Sequence, residues 1–402
     1  MTQPQHDDGQ DADAGFVVRV ADSITSIGAG AWDGLARCGA NGAGPGNPFV
    51  SYAFLSALEE SGCVGQRAGW LPQHLVLEAP DGRPIGLVPA YLKNNSQGEY
   101  VFDHGWADAF QRAGGRYYPK LQVSVPFTPA TGPRLLVGAG AGSETRRAAL
   151  VQGLEAYVGQ TSISSAHATF LDEADRLAFE AAGDWLARTD QQFHFVNRGY
   201  GSYEDFLESL ASRKRKALRK ERREALADDI SIERLTGADL TEAVWDAFFE
   251  FYMDTGSRKW GRPYLNRRFF SLIGERMADR ILLVMARRQG RYIAGALNFI
   301  GADRLYGRNW GCIEDHPYLH FEVCYHQAIE HAIETGLAVV EAGAQGEHKL
   351  ARGYEPVTTH SAHFIAHPGL RDAVEDYLVR ERENVAEVQA VLSEHTPFKK
   401  SP

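Results

Sequence analysis

The feature that most restricts how this chain can fold lies in its last third, where three apolar-rich runs, 281–287, 292–300 and 304–310, are separated by Gln289-Gly290 and by Gly301-Ala302-Asp303. Short runs joined by tight turns pair as an antiparallel meander. Directly afterwards Phe321, Cys324, Ala328, Ile329, Ala332 and Ile333 recur at helical spacing, with Glu322, His326, Glu330 and Glu334 on the opposite flank. An amphipathic helix is therefore expected over 321–335. Gly336 ends it, and 338–341 reads as the next strand.

The same grammar runs through the remainder. Upstream of the meander, strands are expected at 193–197 and 230–235, with one long basic helix, 203–227, between them and a second helix at 239–254. A last amphipathic helix is expected over 370–392. In the first half the candidate strands are 74–78, 84–92, 99–102, 120–125 and 166–171, the first two joined by a turn at Asp81-Gly82-Arg83. The candidate helices there are 51–61, 144–158 and 173–182. Helices packed on a mixed, mostly antiparallel sheet, twice over, make an α+β architecture. A length of 402 residues suits two such units. Their expected bounds are 16–192 and 193–402, after a polar, acidic tail, 1–15, expected to be disordered.

The formal charge of -10 argues against a surface that grips nucleic acid everywhere, and it leaves room for one local basic site. Cys38, Cys63, Cys312 and Cys324 are widely spaced without a C-x-x-C pair, so reduced thiols and no metal site are expected. His360, His363 and His367 lie close together, but their spacing does not aim them at one metal, and they are expected at the surface. No run reads as a signal sequence or reaches the ~20 apolar residues of a spanning helix, so a cytoplasmic protein is expected.

The segments GRYIAGALNFIGADRLYGRNWG and LHFEVCYHQAIEHAIETGLAVVEAGA, the basic stretch SRKRKALRKERREA and the stretch EHKLARGYEP together resemble the C-terminal half of the Fem-type and BioF2-like acyltransferases of the GNAT superfamily. In the first half, YYPKLQVSVPFTPATGPRLLV is similar to the corresponding signature of a bacterial group of Fem-like N-acyltransferases, often labelled peptidoglycan biosynthesis proteins. The resemblance implies tandem GNAT-like domains. It also implies direct attack of an amine on an activated acyl carbon, at a site where neighbouring strands splay.

N-acyl transfer asks for an amine freed of its proton, an acyl carbon within attack distance and a donor for the oxyanion. On the implied fold these groups sit on or just after 304–310 and 338–341. Glu341 ends the second run, and Gln345, Glu347, His348 and Lys349 crowd the loop that follows. Glu347 and His348 are candidate bases, Lys349 is the candidate electrostatic group, and Glu341 is a further catalytic candidate. Tyr306, Trp310, Gln345 and Arg352 are candidate substrate contacts. In the first half Tyr117, Tyr118 and Lys120 join them, with Thr128, Thr131 and Arg134 on a loop that two prolines around a Gly make rigid. A solvated polar loop and a plain strand connector are the bland alternatives for these two groups.

Between Arg213 and Arg223 stand eight Lys or Arg residues and one acid. Helical spacing gathers Arg215, Lys216, Arg219, Lys220 and Arg223 into a candidate phosphate-binding stripe. Acetyl-CoA enzymes of the GNAT superfamily usually carry Q/R-x-x-G-x-G/A between meander and helix, where backbone N–H groups cradle pyrophosphate. Here that junction reads Gly311-Cys312-Ile313-Glu314-Asp315-His316-Pro317-Tyr318-Leu319-His320 and departs from the pattern. No tightly bound cofactor is expected, and the co-substrate is aminoacyl-tRNA or acyl-CoA. The resulting reading is an N-acyltransferase that moves an acyl or aminoacyl group onto an amine, a peptidoglycan-related precursor being one candidate acceptor. The competing reading is a non-catalytic GNAT-like protein that binds RNA or an anionic precursor through the basic helix.

Overall fold

The computed structural model describes residues 15–36, 46–259, 263–343 and 346–399, without the side chains of 257–259 and 347. Apart from Gly15, the expected tail lies outside the described residues. In chain order the strands are β1 (Val17–Ala21), β2 (Trp70–Pro72), β3 (His74–Glu78), β4 (Pro84–Val88), β5 (Ala90–Lys93), β6 (Lys120–Val123), β7 (Ser165–Thr169), β8 (Leu186–Val196), β9 (Ile230–Leu235), β10 (Ile281–Arg288), β11 (Arg291–Ile300), β12 (Arg304–Cys312), β13 (Val339–Glu341) and β14 (Tyr354–Ile365). Among the described residues β1, β3 and β4 form a small antiparallel sheet, and the rest form one large sheet in the order β2-β5-β6-β7-β14-β8-β13-β12-β11-β10-β9. The class is α+β, with a mostly antiparallel sheet flanked by helices.

The meander forms as expected because both of its faces are buried. Leu283, Met285, Leu297 and Phe299 enter one core with Phe248 and Phe270, while Leu282, Val284, Ala296 and Leu305 enter another with Val323 and Ile329. Strands covered on both faces read as near-continuous apolar runs, the signal that located them. Gly336 takes φ 71 and ends the helix Gln327–Thr335. Upstream of it the regular helix is interrupted by a π turn, Glu322–His326.

Four expectations need correction. The basic helix 203–227 is two helices, Tyr203–Ser209 and Ser212–Ala225. Buried Leu210 breaks it by pairing with Phe398, and the Ala211 N–H donates to the Pro397 carbonyl. Tertiary contact to the distant C-terminal segment thus overrides local propensity. The run 84–92 divides at Pro89, which has no N–H to give a ladder. β4 joins the small sheet and β5 the large one. Residues 99–102 form no strand and instead carry Glu99 inward. His363, expected at the surface, is 1% exposed.

β8 begins well before the expected 193, so the position 192/193 falls inside it. β14 then inserts between β7 of the first half and β8, pairing antiparallel with both. The C-terminal helix Pro368–Glu394 packs Leu370, Val374 and Leu378 beside Trp106 and Tyr117. No described helix is long and apolar enough to cross a membrane.

At the β7–β14 seam His167 and His363 stand opposite each other, with Nδ1 to Nδ1 2.7 Å. Ser165, Ser361, Tyr117 and Trp106 close around them, with Asp103, Lys120 and Arg188 as the nearby charges. Burial, then Lys120, pushes His167 down to about 3, and burial and His167 hold His363 well below the ordinary value. Both rings are neutral in the fold, whereas an unfolded chain protonates histidine below ~6.5. Stability from this pair is therefore full above that value and is lost as pH falls from ~6.5 towards 3. Urea unfolding as a function of pH should show a shallower acid slope in a His167→Asn, His363→Asn double variant than in the wild type. Identical slopes would contradict the assignment.

Candidate active site

β12 and β13 pair in parallel over Arg304–Val339, Leu305–Val340 and Tyr306–Glu341, where the ladder ends. From Gly307 to Cys312, β12 keeps β11 as its ladder partner. Leu297 stands opposite Asn309 and Asn298 opposite Gly307, so Arg308 is the extra residue of a β-bulge. A bulge leaves its extra residue outside the ladder and re-aims the strand. Backbone hydrogen-bonding capacity is thus released beside the gap. Gly311 permits the close approach of helix Glu242–Lys259, since a Cβ there would overlap the Phe251 carbonyl.

Glu341, 2% exposed, ends the paired segment. Arg304 donates to its Oε1 at 2.8 Å, while its buried Oε2 has no hydrogen-bond partner. Across the next ladder Glu341 is opposite His194, whose Nε2 lies 3.9 Å from that Oε2. Burial depresses the His194 pKa, opposed by Glu341. Tyr306, paired with Glu341 from the other side, is buried, and its phenol is pushed well up by burial and by the Glu341 charge. The sequence reading missed His194, although the alternation Phe193-His194-Phe195 marks it as the side chain on the face opposite two core aromatics.

The loop after β13 returns towards this point. Gln345 lies outside the described residues, as does the side chain of Glu347. Lys349 is 1% exposed and its Nζ donates to the Gly343 carbonyl at 2.9 Å. Burial brings its pKa down to about 8, with Cys324 acting in the opposite direction. Exposed His348 shares a 2.9 Å hydrogen bond with the Tyr325 hydroxyl, and partial burial, then Arg352 and Lys349, lower its pKa. Arg352 is turned inward, stacked on Phe321 and paired with Glu221. His348, Lys349 and Arg352 therefore lie together on one short loop and Tyr306 and Glu341 together on the adjoining ladder, while Trp310 approaches the loop through His320, whose ring lies 5.1 Å from Trp310 and 6.2 Å from His348.

Beside Trp310 a cleft of about 290 Å³ is lined by Thr255, Cys312, Glu314, Asp315, His316, Leu319 and His320. Among the described residues no Lys or Arg lines it. Glu314 is held below the ordinary carboxylate range by His316, against slight burial, with help from Arg288.

The first-half candidates lie elsewhere. Lys120, fully buried, donates to Ser96, Glu99 and Asp103, and Tyr117 donates to Asp103 at 2.6 Å. Tyr118 shares a hydrogen bond with Ser96. Lys93 completes the cluster over the Trp70 ring, its pKa brought down to about 7 by burial. Thr128 bonds within its own loop. Arg134, fully buried, donates to the carbonyls of Thr169, Pro133 and Ala130 and so fastens the loop to β7. That loop reaches the second half through Gln192, which donates to Pro129, and Arg308, which donates to Phe127.

On the basic helix Ser212–Ala225, Lys216, Arg219, Lys220 and Arg223 are exposed and Arg215 is half-buried. Arg219 pairs with Glu204 and Lys220 with Glu224. Arg222 turns in, forking onto Glu322. No described group of His, Cys, Asp and Glu residues is placed to hold a metal ion.

Compared with known proteins, residues 23–400 match the model of the FemAB-like family, described as peptidoglycan biosynthesis/recognition. No curated protein matches. Among solved structures, a conserved protein of unknown function from Bacteroides thetaiotaomicron VPI-5482 is similar over 86% of this chain and 99% of its own, at 12% identity and TM-score 0.50. FemX covers 81% and 94% at 11% identity and TM-score 0.48, and L-PGS from Bacillus licheniformis covers 80% and 95% at 10% identity and TM-score 0.47.

The burial of Lys349 gives a direct check on the site. In lysine-labelled protein, the resonance lost in Lys349→Arg should titrate near pH 8, while exposed lysines titrate near ~10.4. A midpoint above ~10 would place the side chain in solvent.

Proposed function

The chain belongs to the FemAB-like family, and from that premise we propose that it transfers an acyl or aminoacyl group from an activated donor to an amine acceptor where β12 and β13 part. The observation that carries this reading is the buried, unpartnered Oε2 of Glu341 at the last paired position. A desolvated carboxylate oxygen without a donor attracts an ammonium group. Neutral His194 beside it takes the proton, and the free amine attacks the acyl carbon to form the new C–N bond. His348 on Tyr325 is the second candidate base. The backbone at the Arg308 bulge and the Lys349 ammonium are the candidate donors to the developing oxyanion. Collapse of the intermediate breaks the bond from acyl carbon to donor oxygen or sulfur, and the leaving group takes up a proton.

Two observations favour an aminoacyl-tRNA donor over acyl-CoA. Among the described residues that line the cleft at the junction where pyrophosphate is usually cradled, Glu314 and Asp315 are acidic and none is Lys or Arg. The exposed face of the basic helix offers the phosphate contacts instead. The acceptor is proposed to be an amine-bearing peptidoglycan precursor, following the family's description.

Purified protein incubated with charged tRNA and a precursor nucleotide should transfer the amino acid, and Glu341→Gln should lower the rate by about 10²- to 10⁴-fold. Transfer at the wild-type rate in that variant would exclude the assigned role. Affinity for tRNA should fall steeply with salt, with a shallower dependence in Lys216→Gln, Arg223→Gln. Saturable acyl-CoA binding without tRNA binding at low salt would reverse the choice of donor.

A further inference from the structure

The single acid in the basic run, Glu221, is turned inward and is 8% exposed. Its Oε1 accepts from Arg352 Nε at 2.8 Å and meets His326 Nε2 at 2.8 Å, while its Oε2 accepts from Arg352 Nη2 at 2.6 Å. The remaining guanidinium nitrogen, Nη1, donates to the His348 carbonyl at 2.6 Å. His326 is fully buried in the π turn, and its Nδ1 meets the Tyr203 hydroxyl at 2.6 Å. One carboxylate therefore ties helix Ser212–Ala225 to two separate pieces of the candidate site: the loop bearing His348 and Lys349, and the π turn whose Tyr325 holds the His348 ring.

We propose that Glu221 is a positioning residue of the transfer site, fixing the backbone at His348 through Arg352 and the Tyr325 turn through His326. This rests on the reading of the loop as part of the site. A forked arginine–carboxylate pair defines orientation as well as distance, and a neutral amide cannot satisfy both arms of the fork. Without the carboxylate Arg352 stays buried with two of its three hydrogen bonds lost, and the guanidinium that closes the short loop Glu347–Arg352 through the His348 carbonyl is no longer held in place.

The test uses the full chain and needs no substrate. In Glu221→Gln, hydrogen exchange across 346–353 should accelerate by about tenfold or more while the meander stays protected, because only the loop is released. The Lys349 resonance should also move up from about 8 towards ~10.4 as water reaches it. Glu221→Asp should restore part of both effects, and Glu208→Gln, exposed on the preceding helix, should change neither. If Glu221→Gln does not fold, Arg352→Lys keeps the charge, removes the fork and should give the same local signature. A folded variant with unchanged loop exchange and an unmoved Lys349 midpoint overturns the proposal, as does acceleration spread evenly over the whole sheet. Failure of wild-type transfer would instead remove the catalytic reading and leave this local result standing.

Discussion

β13 is three residues long, and that brevity is the constraint on which the site depends. A strand that followed β12 to its end would satisfy every backbone group along it, and no opening would remain in the sheet. The ladder stops at Tyr306 and Glu341, and the bulge at Arg308 follows almost at once. The bulged residue and a carboxylate with one oxygen free of hydrogen bonds lie at that stop, and the loop with buried Lys349 follows it in the chain. The helix from the π turn onward covers one side, and the aromatic core around Phe248 and Phe251 covers the other. The rigid meander keeps the opening in place.

Charge is distributed unequally between the halves. In the first half Lys93, Lys120, Glu99 and Asp103 neutralise one another in a buried cluster. Burial raises the Asp103 pKa, but the Lys120 ammonium, by its charge and hydrogen bond, outweighs it and holds the carboxyl well below the carboxylate range. Such a cluster fixes loop 94–103 against β6, with Glu99 Oε1 and Asp103 Oδ1 still without hydrogen-bond partners. Around β13 Glu341 has one oxygen without a hydrogen-bond partner, and the Lys349 ammonium is held by the Gly343 carbonyl. Groups that the fold leaves short of partners are the ones available to chemistry.

The sequence disclosed the meander, the helix stop at Gly336 and the gathering of polar groups after Glu341, because burial on two faces and helical spacing leave periodic traces. Other features leave none. Leu210 looks helical, and only its pairing with Phe398 breaks the helix. Arg134 looks like a cleft residue until three carbonyls claim it, and His363 looks superficial until His167 stands opposite. Glu221 reads as one acid diluting a basic run, since its partners Arg352 and His326 lie far along the chain. In each case the deciding contact is non-local, so a window of neighbouring residues does not contain it.

The insertion of β14 also bears on how the chain is made. His167 and its partner His363 are 196 residues apart, and β7 has no other neighbour on that side among the described strands. During synthesis the first half emerges with this edge open, and it stays open until almost the entire second half has followed. Pairing across such a separation is slow, and an open apolar edge is prone to adhere to other chains. Completion of the first half is thus tied to translation of the last strand.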